Sequence, residues 1–590
     1  MSRLLRRSVV WLGKAGNLLY ATLLLSQLAY IWSFTYFPST DGPAHLATAR
    51  MLLDYIRSPG LREHYILVTG PYPNWTADFL LTACMSIFPA SVPEKLTLTA
   101  YFVLMAVCAR IAIYLVAPRA TFLAFLILPL SDNYLVHSGF YSFVYGVPLF
   151  LISFAYWLKH RAHLSRRSIA ALTLLHLALW FTHLVPLVLL FIAVAIVRLY
   201  DLLALCRGDV IKWDLEATVV RRNSFGLIIT FAPTLLLFTD YLHPELNLVI
   251  RLFGGPDLSR VWTLFWGTLA AALVSGSFLL LIRPAVRILT LWPARVQGGK
   301  WLVGTLLASL ACAIDILHTG LGVFVRRLRL VAQLPVLASY YNDELLASKA
   351  FALMLAGMIA YLVLTRKVQK KYMDLKSSLF AVLTGYVFAV VSAPNAMVGG
   401  SRLIPRLAIF PVLILMPWFA LFNWSTLARW TVQACATAIT VYFLALHIAG
   451  ASEANGLIAE YVSGQHLVKG QDTFITISRP DFQTQLRIDV LSHAGGYIAG
   501  QNGAVLLNNY QFGTRVFPFA GVRGYRNSPD YILTWADPQP VLGGSGDSMT
   551  YEGVHYNRIF SSRPRGYMKV FQRMDLTSAR PQTQPHRKPD

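Results

Sequence analysis

Residue types suited to proton transfer stand directly after the first long apolar run of this sequence. Asp41 lies in Thr40-Asp41-Gly42-Pro43 and precedes His45 by four residues, which is about one turn of a helix. A carboxylate near an imidazole is typical of general acid–base chemistry at a hydroxyl group. Thr40 or Asp41 followed by Pro43 also fits the start of a helix, so N-capping is the alternative role for Asp41.

Three further residues combine an ionisable side chain with apolar surroundings. Asp132 and His137 lie in a short polar stretch between two apolar runs, and His183 interrupts the apolar run 169–199. Ionisable groups at membrane depth are functional hypotheses by default, and we expect these three to position a substrate. The alternatives are an ordinary polar turn for Asp132 and His137, and for His183 a hydrogen bond to a broken helix end.

Arg402, Arg326 and Arg327 are candidate ligands for a phosphate group, because a guanidinium matches the geometry of phosphate oxygens. The predicted topology puts all three on the external side, where the positive-inside rule predicts few basic residues. Arg326 and Arg327 become cytoplasmic if segment 301–324 does not cross the membrane. For Arg402 the alternative is contact with a lipid headgroup.

Other catalytic motifs are absent from the sequence. It contains no Gly-x-Ser-x-Gly, no P-loop and no His-Glu-x-x-His, and no local spacing of Cys and His is that of a zinc site. The sequence therefore predicts no cofactor and no metal ligands, although it does not exclude a divalent metal.

The composition determines which class of molecule must position these residues. Of 590 residues, 56% are hydrophobic and 13% are charged, the latter about half the share in soluble domains. This excludes a soluble enzyme, a disordered regulator and a fibrous protein. Apolar stretches such as Leu379–Val391 and Ala434–Leu446 lack the polar face of a surface helix, so the sequence predicts a multi-pass membrane protein surrounded by lipid.

The net charge of +23 is concentrated in the apolar part of the chain. Residues 1–449 carry 37 Lys and Arg against 17 Asp and Glu, whereas residues 450–590 carry 14 against 11. Basic residues between apolar spans are what the positive-inside rule expects. The charge is therefore a topology signal, and we expect no nucleic-acid partner.

The basic loops and apolar runs together predict about 13 crossings. The first span, 17–36, follows a basic N-terminus on the cytoplasmic side, and residues 37–74 form the first external loop. Trp75–Phe88 must be re-entrant or a partial helix, and 169–199 must be two short helices that meet near His183. The other predicted spans are 96–116, 120–135, 139–158, 224–242, 260–282, 301–324, 349–365, 378–393, 405–423 and 427–449.

The residue pattern of the sequence changes at residue 450. Short β-rich runs separated by Gly, Pro and Asn predict a small external α+β domain over 450–576, and the Pro- and Gln-rich residues 577–590 predict a disordered tail. The predicted domains are therefore a transmembrane domain over 1–449, the external domain and the tail. The β-rich runs are Phe474–Ile477, Ala504–Leu507, Val516–Phe519, Tyr531–Trp535 and Tyr567–Gln572.

These features resemble the GT-C superfamily of integral-membrane glycosyltransferases. The resemblance is strongest to the bacterial branch that contains the lipopolysaccharide glycosyltransferases, and it covers most of the membrane part. It rests on a retained first helix followed by an acidic external loop, many short spans and an external C-terminal domain. The segments that carry it are Asp41–Leu46, Ser138–Phe143, Thr182-His183 and Ser492–Tyr497.

The resemblance implies a mainly α GT-C-like fold and a polyprenyl-phosphate sugar donor. The matching acidic position, Asp41, would be the general base of an inverting displacement on the periplasmic face of a bacterial inner membrane. Arg402 would hold the donor phosphate, and His45 or His183 would orient the acceptor or stabilise the leaving phosphate. A single Asp41 followed by Gly-Pro-x-His departs from an acidic pair, so the acceptor stays unassigned. The alternatives are a transporter or flippase of a lipid-linked molecule and a non-catalytic scaffold of the same fold.

Overall fold

The computed structural model describes a mainly helical protein with one mixed β-sheet. It covers residues 3–68, 70–205, 222–238, 241, 320–365, 373–396, 402–478, 484–513, 517–522, 528–536 and 547–577. The predicted span 260–282, most of the predicted span 301–324 and the predicted tail after residue 577 lie outside these ranges.

Helices make up most of the described chain. Up to residue 205 they are α1 (Arg3–Ser33), α2 (Gly42–Asp54), α3 (Pro59–His64), α4 (Thr76–Met85), α5 (Pro93–Val116), α6 (Leu128–Ser131), α7 (Tyr134–His137), α8 (Tyr141–His160), α9 (Arg166–Thr182) and α10 (Leu184–Leu205), with a 3-10 helix over Pro118–Ile127. After it they are α11 (Arg222–Phe238), α12 (Leu321–Gln333), α13 (Glu344–Thr365), α14 (Met373–Ser392), α15 (Leu403–Ala408), α16 (Phe410–Ala420), α17 (Thr426–Tyr461), α18 (Gly495–Asn502) and α19 (Met574–Thr577). Shorter 3-10 turns cover Pro335–Leu337, Val462–Leu467 and Tyr510–Gly513.

Eight helical segments in the described part are long and apolar enough to cross a membrane, which confirms a multi-pass membrane protein. They are Pro93–Val116, Pro118–His137, Tyr141–His160, Leu184–Asp201, Glu344–Thr365, Leu375–Ser392, Leu403–Ala420 and Thr426–Leu467. Helix α1 contains the predicted first span and has 31 residues, but Asn17, Ser26 and Gln27 make it less apolar than these eight. The predicted count of about 13 crossings stays a prediction.

Two irregular segments form where the sequence predicts them. The segment predicted to be partial or re-entrant contains α4, which has only ten residues and is too short to cross a bilayer. The long apolar run divides into α9 and α10 at His183, whose extended backbone (φ −168°, ψ 138°) ends α9. Pro186 at the start of α10 fits this break, because proline is tolerated in the first turn of a helix.

The centre of the bundle is helix α16. All eleven of its residues are buried, as expected for a helix that is apolar on every face. The long helix α17 behaves differently, because Leu427, Val441 and Ile448 are 45% to 77% exposed. In a membrane protein such an apolar exposed side faces lipid. Helix α17 continues without a break through residue 450, the predicted domain boundary, to Tyr461.

The C-terminal part contains a six-stranded sheet, which confirms the predicted α+β character. The strands are β1 (Tyr65–Leu67), β2 (Thr473–Ser478), β3 (Val505–Leu506), β4 (Phe519–Gly521), β5 (Tyr531–Trp535), β6 (Ser548–Tyr551), β7 (Val554–Ser561) and β8 (Met568–Arg573). The sheet has the order β3-β2-β5-β8-β7-β6, and β2 pairs in parallel with both β3 and β5.

The first loop and the C-terminal part are joined by a small second sheet. Strand β1 from the first loop pairs antiparallel with β4, with Tyr65 opposite Gly521 and Leu67 opposite Phe519. Helix α2 of the same loop packs against α18. The residues around Asp41 therefore lie between the helical bundle and the C-terminal part.

Candidate active site

The backbone of Asp41 is held in place by the turn between α7 and α8. The amide of Thr40 donates to the carbonyl oxygen of His137 (2.9 Å), and the amide of Asp41 donates to that of Ser138 (3.2 Å). Gly139 has a φ of +78°, and a Cβ atom at this position would collide with the backbone of Asp41 and Gly42. Glycine is therefore required here both for the left-handed conformation and for the close approach of the two loops.

The Asp41 side chain is directed away from its own helix. Asp41 is the N-cap residue of α2, but its side chain makes no capping hydrogen bond, so the capping alternative does not account for the carboxylate. The side chain is 16% exposed, and its Oδ1 lies 3.6 Å from Nε2 of His493. This separation is longer than a direct hydrogen bond. The carboxylate also interacts with the hydroxyl of Tyr510.

The C-terminal part of the chain forms the side of the site that contains His493. A Cβ atom on Gly496 would collide with the backbone of Pro43, so α18 rests directly on the first turn of α2. The hydroxyl of Tyr497 donates to the carbonyl oxygen of Phe37 (2.9 Å). Burial lowers the pKa of His493 below its ordinary value, although the charge of Asp41 acts in the opposite direction. At neutral pH, His493 therefore faces Asp41 as a neutral imidazole.

His45 lies one turn after Asp41 on α2 and is paired with Asp78, a carboxylate that was not predicted as a site residue. Its Nδ1 lies 2.7 Å from Oδ1 of Asp78 on α4, and both side chains are almost fully buried. Burial alone would lower the pKa of His45, but Asp78, Asp41 and Glu94 together raise it above its ordinary value. The raised pKa favours the protonated form of His45, whose ring also stacks on Tyr141 at 5.8 Å.

A third carboxylate approaches the same helix start. The hydroxyl of Tyr141 donates to Oε1 of Glu94 (2.6 Å) and lies 3.0 Å from the hydroxyl of Ser39. A side chain at Gly42 would collide with all three of these groups. Glycine at this position therefore lets α2 begin in direct contact with these hydrogen bonds. They join Glu94 of α5, Tyr141 of α8 and Ser39, which lies between α1 and α2.

Of the predicted phosphate ligands, Arg402 lies nearest to this site. A second arginine, Arg406, lies beside it and was not predicted. Arg402 donates to the hydroxyl of Tyr134 (2.7 Å). Arg406 stacks on Phe140, with 4.1 Å between Cζ and the ring centroid, and lies near enough to Asp41 for their charges to interact. The spacing of four residues, about one helical turn, is a signal that could have found it, because Arg402 is the N-cap residue of α15 and Arg406 lies on that helix.

The contacts of Arg406 leave hydrogen-bonding capacity unused. Its Nε atom is buried and has no hydrogen-bond partner among the described residues. Its Nη1 lies 3.3 Å from Nε2 of His183, whose Nδ1 accepts a hydrogen bond from the amide of Val185 (3.1 Å). In a neutral imidazole only one nitrogen can accept. The tautomer that accepts from Val185 carries its proton on Nε2, and in that tautomer Nε2 and Arg406 are two donors that face each other.

Arg326 and Arg327 lie elsewhere. Both are on α12, where Arg326 is exposed and Arg327 donates to the carbonyl oxygen of Val391 (2.6 Å). Within the described part of the chain, no contact joins either of them to Asp41. The structure thus places Arg402 near Arg406 and leaves this pair apart.

The backbone around His137 lies close to that of Asp41, but the side chains of Asp132 and His137 point to each other and not to the Asp41 carboxylate. His137 supplies the carbonyl that holds Thr40, while its ring stacks on Phe37 at 4.9 Å and turns inward. Nε2 of His137 lies 2.7 Å from Oδ1 of Asp132, and both residues are buried. They form a separate internal cluster rather than a surface that a substrate could touch.

Comparisons with known proteins give limited information about this site. No protein-family model and no curated protein matches the sequence. Among solved structures the chain is similar to ArnT from Cupriavidus metallidurans bound to undecaprenyl phosphate, with 12% sequence identity and a TM-score of 0.37. The match covers 94% of this chain and 97% of that one. At this identity and TM-score, the similarity assigns neither a substrate nor a catalytic residue to this chain.

Proposed function

We propose that this protein is a membrane glycosyltransferase that moves a sugar from a polyprenyl-phosphate-linked donor to an acceptor hydroxyl, with Asp41 as the general base. The reaction is a direct displacement with inversion, as the resemblance seen in the sequence implies. The bond from the anomeric carbon to the phosphate oxygen breaks as the bond to the acceptor oxygen forms. Asp41 takes the acceptor proton, and the lipid phosphate leaves with the bonding electron pair.

The observation that carries the proposal is the availability of the Asp41 carboxylate. It is partly exposed, it does not cap α2, and its separation of 3.6 Å from His493 leaves no direct hydrogen bond between them. A general base must come within hydrogen-bonding distance of the proton that it removes. A hydroxyl placed between Asp41 and the neutral His493 can donate to the first and accept from the second.

The second support is the pair of donors at Arg406 and His183. An oxyanion between them would accept hydrogen bonds from both and would occupy the unpartnered Nε of Arg406. Phosphate oxygens have this chemistry, and a positive charge at the leaving group stabilises the charge that develops there. Arg406 and Arg402 therefore bind the donor phosphate, with Arg406 the nearer to the reaction.

The third support is the location of these groups. Asp41 follows α1, and Arg406 lies at the start of the apolar segment Leu403–Ala420, so both are at the same end of the membrane-spanning helices. A polyprenyl phosphate carries its phosphate at the membrane surface. A donor that diffuses in the bilayer can thus present its phosphate to Arg406 and its sugar to Asp41. We place this end on the periplasmic face of a bacterial inner membrane, with the N-terminus in the cytoplasm.

The test is turnover of polyprenyl-phosphate sugars by purified protein in lipid nanodiscs. We expect Asp41→Asn to lower turnover by about 10²- to 10⁴-fold, the usual contribution of a general base, while donor binding persists. Arg406→Gln should weaken donor binding. Asp343→Asn and Arg329→Gln make the same substitutions at exposed positions and should change neither quantity.

Three results would contradict the proposal in different ways. Donor binding without turnover by the unaltered protein would indicate a carrier or a scaffold. Full turnover by Asp41→Asn would place the base elsewhere. Unchanged donor binding by Arg406→Gln would remove the phosphate from this position.

A further inference from the structure

A second cluster of ionisable side chains lies inside the bundle, behind the Asp41 loop. Its members are Asp132 after α6, His137 on α7, Glu344 at the start of α13 and His447 on α17. Asp132 is 4% exposed and the other three are fully buried. The proposed transfer reaction uses none of these side chains, so their presence in the interior needs a separate explanation.

The two imidazoles approach the same carboxylate from different elements. Nε2 of His137 lies 2.7 Å from Oδ1 of Asp132, and Nδ1 of His447 lies 2.7 Å from Oδ2. One oxygen of Asp132 and the two ring nitrogens all lie within 4.8 Å of one another. Two nitrogens and a carboxylate in this arrangement are a common ligand set for zinc.

The opposite nitrogen of each ring has a partner that accepts a hydrogen bond. Nε2 of His447 lies 3.1 Å from Oε2 of Glu344, and Nδ1 of His137 lies 3.1 Å from the carbonyl oxygen of Pro38. The hydroxyl of Tyr340, 3.0 Å from the same Nδ1, can also accept from it. When each ring donates to these outer partners, its other nitrogen directs a lone pair at Asp132.

Lone pairs directed at a carboxylate are repulsive unless a positive charge lies between them. A proton on one or both of the rings can supply this charge, and so can one divalent cation. Metal-bound histidines in proteins usually donate their other N–H to a carboxylate or a backbone carbonyl, and Glu344 and Pro38 supply these two partners. The cation also lets both imidazoles stay neutral in the interior.

We infer that Asp132, His137 and His447 bind one divalent transition-metal ion of the zinc class, with Glu344 orienting His447. Bonds of about 2.0–2.2 Å around a tetrahedral centre separate ligand atoms by about 3.3 Å. The Asp132 carboxylate must therefore move away from each ring by roughly 0.6 Å. The ion would brace α17 against the turn whose backbone holds Thr40 and Asp41, as a structural site that is independent of the proposed reaction.

The test is the metal content of the full-length protein, purified through a tag without histidine. We expect about one equivalent of zinc per chain by plasma mass spectrometry, and near zero for His447→Gln. His176→Gln is the matched control, because His176 is also buried and bonds only to a backbone carbonyl, that of Thr230 (3.0 Å). This variant should keep its metal.

A second measurement does not depend on whether the variants fold. Unaltered protein stripped with a chelator should melt at a lower temperature and recover with zinc, and cobalt should give the visible absorption of a tetrahedral site with nitrogen and oxygen ligands. A protein that holds no stoichiometric metal, and whose melting temperature zinc does not change, would overturn the inference in favour of hydrogen bonds between the two rings and the carboxylates. Metal retained by His447→Gln would overturn it by placing the ion elsewhere.

Discussion

At the scale of residues, the candidate site separates an accessible carboxylate from buried ones. Asp41 is partly exposed, whereas Asp78 and Glu94 are buried and bonded to His45 and Tyr141. The two buried carboxylates are closed off from a bound molecule, so Asp41 is the one of these three that such a molecule can reach. His45, Asp78 and Glu94 surround the start of α2, and their charges act on the side chains there.

The raised pKa of His45 predicts a pH-dependent stability. Below its ordinary pKa of about 6.5, His45 is protonated in both folded and unfolded chains, and the bond to Asp78 contributes its full stability. As the pH rises through the raised pKa of the folded state, the proton is lost and this contribution disappears. We therefore expect the melting temperature to fall above pH 6.5, by less in His45→Gln than in the unaltered protein.

The control for this prediction is a histidine without a buried partner. His555 is exposed on β7 and contacts only the hydroxyl of Thr550 in the described structure, so His555→Gln should keep the pH dependence of the unaltered protein. His493 has a lowered pKa and contributes with the opposite sign, below pH 6.5. Identical pH profiles for His45→Gln and the unaltered protein would show that the ion pair with Asp78 does not stabilise the fold.

At the scale of elements, the position of Asp41 depends on glycines that permit close contacts. Gly139 brings the turn before α8 against the start of α2, and Gly496 brings α18 against it from the other side. A short helix such as α2 is marginal by itself. Its first turn is therefore fixed by the two elements that clamp it.

The contact at Gly496 gives a prediction with a matched control. A methyl group there overlaps the backbone of Pro43, which cannot move as a flexible side chain would, so Gly496→Ala should destabilise the protein by about 1–3 kcal/mol and lower turnover. Gly456→Ala adds the same methyl group on α17 in open space and should be neutral or stabilising by up to about 1 kcal/mol. Thermal unfolding of both variants in the same lipid compares them, and equal melting temperatures would contradict the contact.

At the scale of the whole molecule, the loops that connect the helices lie at two opposite ends of the bundle. The first loop and the C-terminal part share the β1–β4 pairing and the packing of α2 on α18. Helix α8 starts beside Asp41 and runs 20 residues to His160, which is about 30 Å and enough to reach the other face. Loops before α2 and after α8 must therefore lie on opposite sides.

Labelling of single cysteines in sealed vesicles tests this arrangement. In a background without the five native cysteines, Glu63→Cys and Glu552→Cys should react with an impermeant maleimide from the same side, because Glu63 lies in the first loop and Glu552 in the C-terminal part that pairs with this loop. Arg167→Cys should react only from the other side. All three positions are exposed, so access does not limit the comparison. Reaction of Glu63→Cys and Glu552→Cys from opposite sides would contradict the β1–β4 pairing.

Features that depend on local chemistry were predictable from the order of the amino acids. Long apolar runs predict membrane helices because the bilayer requires backbone groups to be bonded within a segment, and the break at His183 and the short helix α4 follow from run length. Strands β2, β5 and β8 follow from short β-rich runs. Asp41 was identified because it directly follows the first apolar run.

Contacts between residues far apart in the sequence were not predictable before the fold was known. His447 reaches Asp132 across 315 positions, and His493 reaches Asp41 across more than 450, distances at which no local spacing carries information. The pairing of His45 with Asp78 and the position of Arg406 beside Asp41 likewise depend on how helices pack. The strands β6 and β7 were missed because they contain many polar residues, and they pair around Glu552 and Gly553, both with positive φ. Packing sets these contacts, because side chains far apart in sequence come together only when the apolar faces of their helices and strands are buried against each other.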